Sequence, residues 1–487
     1  MTDPSNAFEK PATSQPQNSE RLQEQPFKRL SAHFLVRWIS SAALILLICS
    51  SFRHFLFRST AFDLGIYDQV VYLLSQGLPP ISSYLGFHHM GNHAAWAVYP
   101  LALFYKIYPS VYWLLAVQAV CLAIGAWPTW LLAVQAGLSP ALARAMVVVY
   151  LLYPLIFNLN LFDFHPEVMA LPVLLTAIWL ARAGRPGWFC LAILFVLGCK
   201  DALSLTVVAM GVWLLLFEKR RFCGIAAIAL GSAWFLIATQ WIIPMLSGGE
   251  AAAVDRYGYL GKSVFEVAKN LLLQPGLALG KIISKSTVFY LLLIISPLLW
   301  GLSPRFLAPL ISAIPAFMLN VLSEAHTQRD LMHQYSLPIL PFLLVVVIDS
   351  LAAGKGWLRQ RRWIVLWSLV AFIALAKYYF LGWQYLQSLD TWQASRTAIA
   401  QIQTQGGVLT DNYLGPHVSH RPIVYMPRIK QLNEYLKNCD YVLLNLRHPW
   451  QGQEKRIAQV MQRLKQQPEF KLSYQQDDVY LFTRSKS

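Results

Sequence analysis

The chain has 487 residues, of which 56% are hydrophobic and only 13% charged, with a mean hydropathy of +0.44. A soluble protein carries about 25% charged residues, and soluble cores stop growing near 250–300 residues; the composition excludes a soluble enzyme or a disordered scaffold and describes a polytopic membrane protein. The net charge of +16 reads as loop charge that orients a membrane chain, not as a nucleic-acid face, because no basic surface with interleaved aromatics accompanies it.

In chain order, residues 1–32 are polar and rich in Pro, Gln and Ser, a disordered cytoplasmic tail without the pattern of a cleaved signal peptide. The first apolar segment, about 34–52, follows Lys28 and Arg29 and contains Arg37, a bias that keeps the N-terminus in the cytoplasm. Further apolar segments at about 111–134, 141–160, 168–182, 187–199, 203–217, 223–243, 287–301, 305–322, 337–352 and 363–383 bring the total to about eleven spans, several shorter than the ~20 residues of a straight crossing. With that count, the loops carrying Arg182 and Arg185, Lys219 to Arg221, and Lys355 to Arg362 all fall inside, as the positive-inside rule requires. The stretch from Ala94 to Tyr108 is apolar but interrupted by Pro100. A full crossing there would invert every later loop, so it reads as a juxtamembrane or re-entrant helix.

The multi-span domain therefore covers 33–385, with exterior loops at 53–110 and 245–286, and the protein is placed in the cell membrane. Residues 386–487 lose the long apolar runs and read as a small extracytoplasmic α/β domain. Its strands are expected at Val408–Thr410, Ile423–Met426, Tyr441–Leu446 and Val479–Phe482, with an amphipathic helix at Glu454–Gln466.

Ionisable residues that interrupt apolar sequence are costly in a membrane, and their default reading is functional. Four clusters fall on the exterior side. Asp63 and Asp68 follow the first span; five residues apart on a helix, they diverge by roughly 140° and need not share a ligand. Asp63 reads either as a helix cap or as a base or metal ligand. His88, His89 and His93 form the second cluster, and the 89/93 spacing puts two imidazoles on one helical face, suited to metal, phosphate or interfacial packing. Asp163, His165 and Glu167 alternate with bulky apolar groups and would point one way from extended backbone. Such a set can hold a divalent cation (Mg or Mn), position a base, or cap the helix that Pro166 starts. Lys200 and Asp201 form the fourth cluster and either neutralise each other or bind phosphate through the lysine. Arg329, Asp330 and His333 add a further basic group. No phosphate loop, nucleophile elbow or HExxH helix is present.

An acidic motif after the first span, another in the next exterior loop, and a C-terminal exterior domain together resemble the GT-C glycosyltransferases, which use polyprenyl-phosphate or polyprenyl-diphosphate sugars. More closely, FDLGIYDQ (62–69), FDFHPE (162–167), the Lys200-Asp201 pair, HQYSLPILPF (333–342) and DNYLGPHVSHRPIVY (411–425) resemble a family of bacterial and archaeal predicted membrane proteins catalogued as a domain of unknown function. The resemblance spans roughly 50–485. It implies a GT-C-like architecture in which Asp63 matches the acceptor-side base and Asp163 a second acidic residue. The segment before the second span looks like the juxtamembrane helices of aminoarabinose transferases and protein mannosyltransferases. Relatives often read Lys-Glu-Asp where this chain has Lys200-Asp201-Ala202, so one acid is retained and a second is not.

The expected partners are the bilayer, a polyprenyl-phosphate-linked sugar and an acceptor, with no nucleic acid. Asp63 and Asp163 are the catalytic candidates. Asp68, His88, His89, His93, His165, Glu167, Lys200, Asp201, Arg329 and His333 are candidates for substrate binding. Two rival functions stand beside transfer. A transporter or channel for an anionic or lipid-like solute predicts charges spread through the membrane depth and repeated halves. A non-catalytic assembly subunit predicts indifference to loss of Asp63 and Asp163.

Overall fold

The structure, a computed structural model, describes residues 17–249 and 252–485; residues 1–16 of the polar tail lie outside them. The first helix runs Gln17–Phe55 and so begins within the stretch read as tail. All the apolar segments expected to span are helical. Five are long and apolar enough alone to cross a membrane, and up to seven if two bent pairs each count as one span. Pro186–Leu197, Leu203–Leu216 and Ala308–Leu322 are apolar but shorter, so the layout of about eleven spans depends on short helices packed inside a bundle rather than on uniform crossings.

Local sequence sets the breaks. Pro140, Pro154 and Pro186 each open a helix, where a missing N–H costs nothing. Leu203–Leu216 packs closely on Arg221–Ile237 through Gly211 and Gly224: a Cβ on either would lie under 3.0 Å from the other helix. With no hydrophobic drive between helices in lipid, such backbone approach supplies the packing energy.

Two polar assemblies mark opposite ends of the bundle. At one end Arg182 donates to both Asp349 oxygens at 2.9 and 2.7 Å and to Glu218 at 2.7 Å. Arg220 also reaches the Arg182 carbonyl at 2.6 Å, so the basic loops share one face. The loop after the first helix and the C-terminal domain occupy the other.

That loop holds a π turn at Ala61–Gly65, the helix Ile66–Ser75, and a small hairpin pairing Ile81–Ser82 with Phe87–His88. The expected juxtamembrane helix is a 3-10 turn, Trp96–Leu101, continuing into Ala102–Ile107; it is too short to cross.

The C-terminal domain is a five-stranded sheet in the spatial order Val424–Tyr425, Val408–Thr410, Tyr441–Asn445, Val479–Arg484, Phe470–Gln476. The first two pairings are parallel and the others antiparallel. The nearly continuous apolar run of Tyr441–Asn445 fits its burial on both faces. Tyr441 and Leu443 pack with Ala394 and Ala398 of Leu389–Ala400 and with Ala61 and Ile66 of the loop. Val442 and Leu444 pack on Leu432, Ile457 and Val460 on the opposite side. Phe470–Gln476 is a strand without a strong apolar pattern; its signal is the turn, where Asp477 and Asp478 both take positive φ (47° and 60°), as a tight two-residue hairpin demands.

The DNYLGPHVSHRPIVY segment (411–425) is the latch between this sheet and the membrane domain. Asp68 is fully buried and accepts from the Tyr105 and Ser419 hydroxyls and, at 3.1 Å, from His420 Nε2. Gln69 Nε2 donates to the Arg421 carbonyl at 3.0 Å, and Tyr84 O–H to the Gly415 carbonyl at 2.9 Å. His417 stacks on His54 with centroids 4.1 Å apart. Burial alone would raise the Asp68 carboxyl, but His420 and the two hydroxyls outweigh it and hold it low. Asp68→Ala strands these buried donors and should cost about 3 kcal/mol. Faster hydrogen exchange across 411–425, with the bundle unchanged, is the expected readout.

Candidate functional site

Where the chain leaves the first span and where it turns between Pro154–Asn160 and Glu167–Arg182, two loops meet. Arg53, in the last turn of the first helix, forms a buried ion pair with Asp163. Asp163 Oδ2 also accepts from the Thr60 backbone N–H at 3.0 Å and the Thr60 hydroxyl at 2.9 Å. Asp163 takes a φ of +132°, backbone that side chains rarely adopt and that costs about 1–3 kcal/mol unless the surroundings over-determine it. Three donors on one carboxylate do so here.

Asp63 lies one step further into the loop. Its Oδ2 faces the Thr60 hydroxyl at 3.1 Å and its Oδ1 the His165 Nε2 at 3.2 Å. The other ring nitrogen, Nδ1, is 3.2 Å from the Asp163 carbonyl, which can only accept. Against an ionised Asp63 both imidazole nitrogens must therefore donate, which makes His165 a cation. Burial opposes that charge, but the Asp63 hydrogen bond and charge outweigh it and raise the His165 pKa. Burial likewise pushes Asp63 up, and His165, Thr60 and Arg53 together pull it below its ordinary 3.8. The Asp63 side chain keeps 28% of its surface exposed, against none for Asp163. Of the two carboxylates, only Asp63 has side-chain surface open to solvent; Asp163 ties the two loops together.

Glu167, two residues after His165, lines a cavity of about 350 Å³. Its polar end holds Glu167 ion-paired to Lys200, and Asp201 accepting from His93 Nδ1 at 3.1 Å. Lys200 and Arg256 both sit over the Tyr335 ring, at 5.5 and 5.1 Å from its centroid. The remaining wall is apolar, including Leu203, Phe235, Val254, Val267, Leu271 and Leu319. Val254, Val267 and Leu271 come from the 245–286 insertion, where Ser263 caps Val264–Leu273 by accepting from the Glu266 N–H at 3.1 Å.

The structure thus brings Asp63, Asp163 and His165 together, and Glu167, Lys200, Asp201 and His93 at the neighbouring cavity. Several sequence expectations need correction. Asp68 is spent on the interdomain latch and does not reach the site. His89 is buried against the Ala95 carbonyl at 3.3 Å, and burial depresses it to about 4; His88 accepts from the Met90 N–H at 3.2 Å, so neither joins His93. Arg329 donates to the carbonyls of Asn320 and Ser323 and to Ser286 Oγ, closing the end of Ile314–Leu322 rather than aiming at a phosphate. His333 is held by Asp330 at 2.6 Å and faces a different cavity. Asp163, His165 and Glu167 do not form a cation site: each is engaged by a different partner, and among the described residues no three acidic, His or Cys groups converge. These residues do not fit a resident divalent cation. Arg53, Thr60 and Arg256 are site residues that sequence reasoning missed.

The fold has solved counterparts. ArnT from Cupriavidus metallidurans in the apo state is 12% identical with a TM-score of 0.59, covering 93% of this chain and 98% of that one. The same protein bound to undecaprenyl phosphate is 13% identical with a TM-score of 0.53 and the same coverage. At such identity the likeness establishes a GT-C-like membrane fold and nothing finer. No curated protein matches the chain. The family described as Predicted membrane protein (DUF2079) matches residues 53–481, and the chain belongs to it.

Proposed function

We propose that the protein is a membrane glycosyltransferase that moves a sugar from a polyprenyl-phosphate donor to an acceptor hydroxyl on the extracytoplasmic side. The observation that carries this reading is a partly exposed, hydrogen-bonded Asp63, linked through His165 to the neighbouring Glu167, which lines an apolar cavity whose polar end carries Lys200 and Arg256 beside Glu167 and Asp201. Such a cavity suits an amphipathic carrier whose phosphate meets Lys200 and Arg256 while its chain lies on the apolar wall. Among the described residues Arg256 has no carboxylate partner and lies over the Tyr335 ring. The ArnT structure with undecaprenyl phosphate supports a carrier of this class. The positive-inside reading puts the basic loops in the cytoplasm and Asp63 outside.

In the reaction, the acceptor hydroxyl passes its proton to the Asp63 carboxylate as its oxygen attacks the anomeric carbon. The bond from that carbon to the phosphate oxygen breaks, and polyprenyl phosphate leaves with the electron pair, its charge met by Lys200 and Arg256. A single displacement inverts the anomeric centre. Thr60 and His165 hold Asp63 in place, and Asp163 with Arg53 holds the loops that carry them.

The test is transfer from a polyprenyl-phosphate sugar by the purified full chain. Arg256→Met is expected to raise the donor KM about tenfold or more, with kcat falling less. Equal donor use by Arg256→Met, or flux of substrate across proteoliposomes without transfer, would sink the assignment.

A further inference from the structure

A second cavity, of about 200 Å³, is lined in part by Arg53 and lies where the bundle meets the C-terminal domain. Its lining contains three basic residues, Arg53, Arg58 and His333, and, among the described residues, no acidic one. Two of these residues already have a carboxylate partner: Arg53 has Asp163, and His333 has Asp330. Arg58 has none among the described residues. It is 9% exposed, and its Nε and one terminal nitrogen are buried without a hydrogen-bond partner. Its only compensation among the described residues is the face of Tyr413, 5.3 Å from the guanidinium carbon.

An unpaired buried guanidinium is held at a cost of several kcal/mol, and a cation–π contact returns only about 2 kcal/mol when desolvated. Such a group in a cavity wall is a site awaiting an anion. The charge balance specifies it: one unmatched positive charge calls for one negative charge, whereas a dianion would leave a surplus in a poorly solvated place. The rest of the lining describes the body of the ligand. Tyr413 and Trp450 meet edge to face at 5.4 Å, Phe162 closes another wall, and Gln384 and Gln451 supply amides. Aromatic faces with a few polar groups between them suit a ring that is apolar on its faces and hydroxylated at its edge.

We propose that this cavity binds the acceptor, a saccharide unit bearing a single negative charge, such as a uronate, with its carboxylate on Arg58. Identifying the ligand as the acceptor rests on the transfer reading above; the binding itself does not. Phe162, next to Asp163 in the chain, lines the cavity, as does Arg53, whose partner Asp163 shares the Thr60 hydroxyl with Asp63.

The test uses the purified full chain in detergent and sodium glucuronate as the probe, with binding read by saturation-transfer difference NMR. Saturable glucuronate binding is expected, with neutral glucose at least tenfold weaker. Arg58→Met should weaken glucuronate at least tenfold and Arg58→Lys less, while Lys200→Met, in the other cavity, should leave it unchanged. Arg58→Met should also leave the ligand-free melting temperature unchanged or higher, because it removes an unpaired buried charge. Should that variant fail to fold, Trp450→Ala, whose side chain is partly exposed, carries the binding test and should weaken glucuronate severalfold. Glucose binding as tightly as glucuronate, no saturable binding, affinity within twofold in Arg58→Met, or a several-degree fall in its melting temperature would each overturn the proposal. Because binding is read without turnover, a failed transfer assay with intact glucuronate binding would refute the transfer reading alone.

Discussion

Asp63→Asn is expected to lower sugar transfer by at least about 100-fold, with the fold intact and the donor KM little changed. The amide keeps the shape and can still accept one hydrogen bond from His165 or Thr60, but it cannot take a proton from an acceptor hydroxyl. The loss should therefore fall on kcat. A pH profile separates this role from a structural one. Asp63 is held below 3.8 by a His165 whose pKa is raised above 6.5, so the acid limb of kcat/KM in the wild type should lie below pH 4. His165→Gln removes the strongest opposing influences and leaves burial to dominate, so the acid limb should move upward. The same pair contributes to stability in a defined window. The Asp63 part is present above its unfolded pKa and lost as pH falls through its lowered folded value. The His165 part is present below its unfolded pKa and lost as pH rises through its raised folded value. The pair therefore stabilises most between about pH 4 and 6.5. An acid limb unmoved in His165→Gln would remove the coupling from the account, and an Asp63→Asn enzyme of normal rate would remove the base.

Arg53→Met is expected to be the most destabilising single change in the site, by about 3–5 kcal/mol, because it leaves the Asp163 carboxylate charged and buried. Asp163→Asn should cost less, since the amide still accepts from Thr60 while Arg53 borders an open cavity. The double variant Arg53→Met with Asp163→Asn should recover much of the loss, and a cycle on thermal denaturation of the detergent-solubilised protein should give a coupling of about 1–3 kcal/mol. Additive losses would mean that the pair does not hold the two loops together. Transfer should fall in both single variants in proportion to misplacement of Asp63, since a displacement of about 1 Å at a reacting group can cost 100-fold.

Much of the architecture was legible because lipid imposes one rule on the whole chain: apolar runs must be helical, and these runs are built of helices, some broken by short links. The strands Val408–Thr410 and Tyr441–Asn445 were legible for a related reason, being continuously apolar and buried on both faces. Phe470–Gln476 was not, because a strand at the sheet edge needs little apolar patterning. The site divides in the same way. Asp63, Asp163, His165, Glu167 and Lys200 stood out as ionisable groups in apolar surroundings. Asp68 stood out for the same reason and turned out to be a latch, because the cost of burying a carboxylate marks that it needs partners, not what they are for. Arg53 and Arg58 carried a signal that passed unused: on the exterior reading, they are basic residues on the side where the positive-inside rule expects few.

The sequence alone determined that this is a membrane protein with a polar C-terminal α/β domain, and which residues bear buried charge, because hydropathy and charge cost are properties of each residue and its neighbours along the chain. Which charges cancel was decided only by the tertiary structure. Asp163 meets Arg53 across 110 positions and Asp68 meets His420 across 352, and no local pattern encodes pairings at that range. The +16 net charge shows the same division. Its sign and loop positions could be read directly, but its informative remainder could not: Arg256 facing one cavity and Arg58 facing the other, both without a carboxylate among the described residues. An unmatched charge becomes visible only when every neighbour that could match it has been placed.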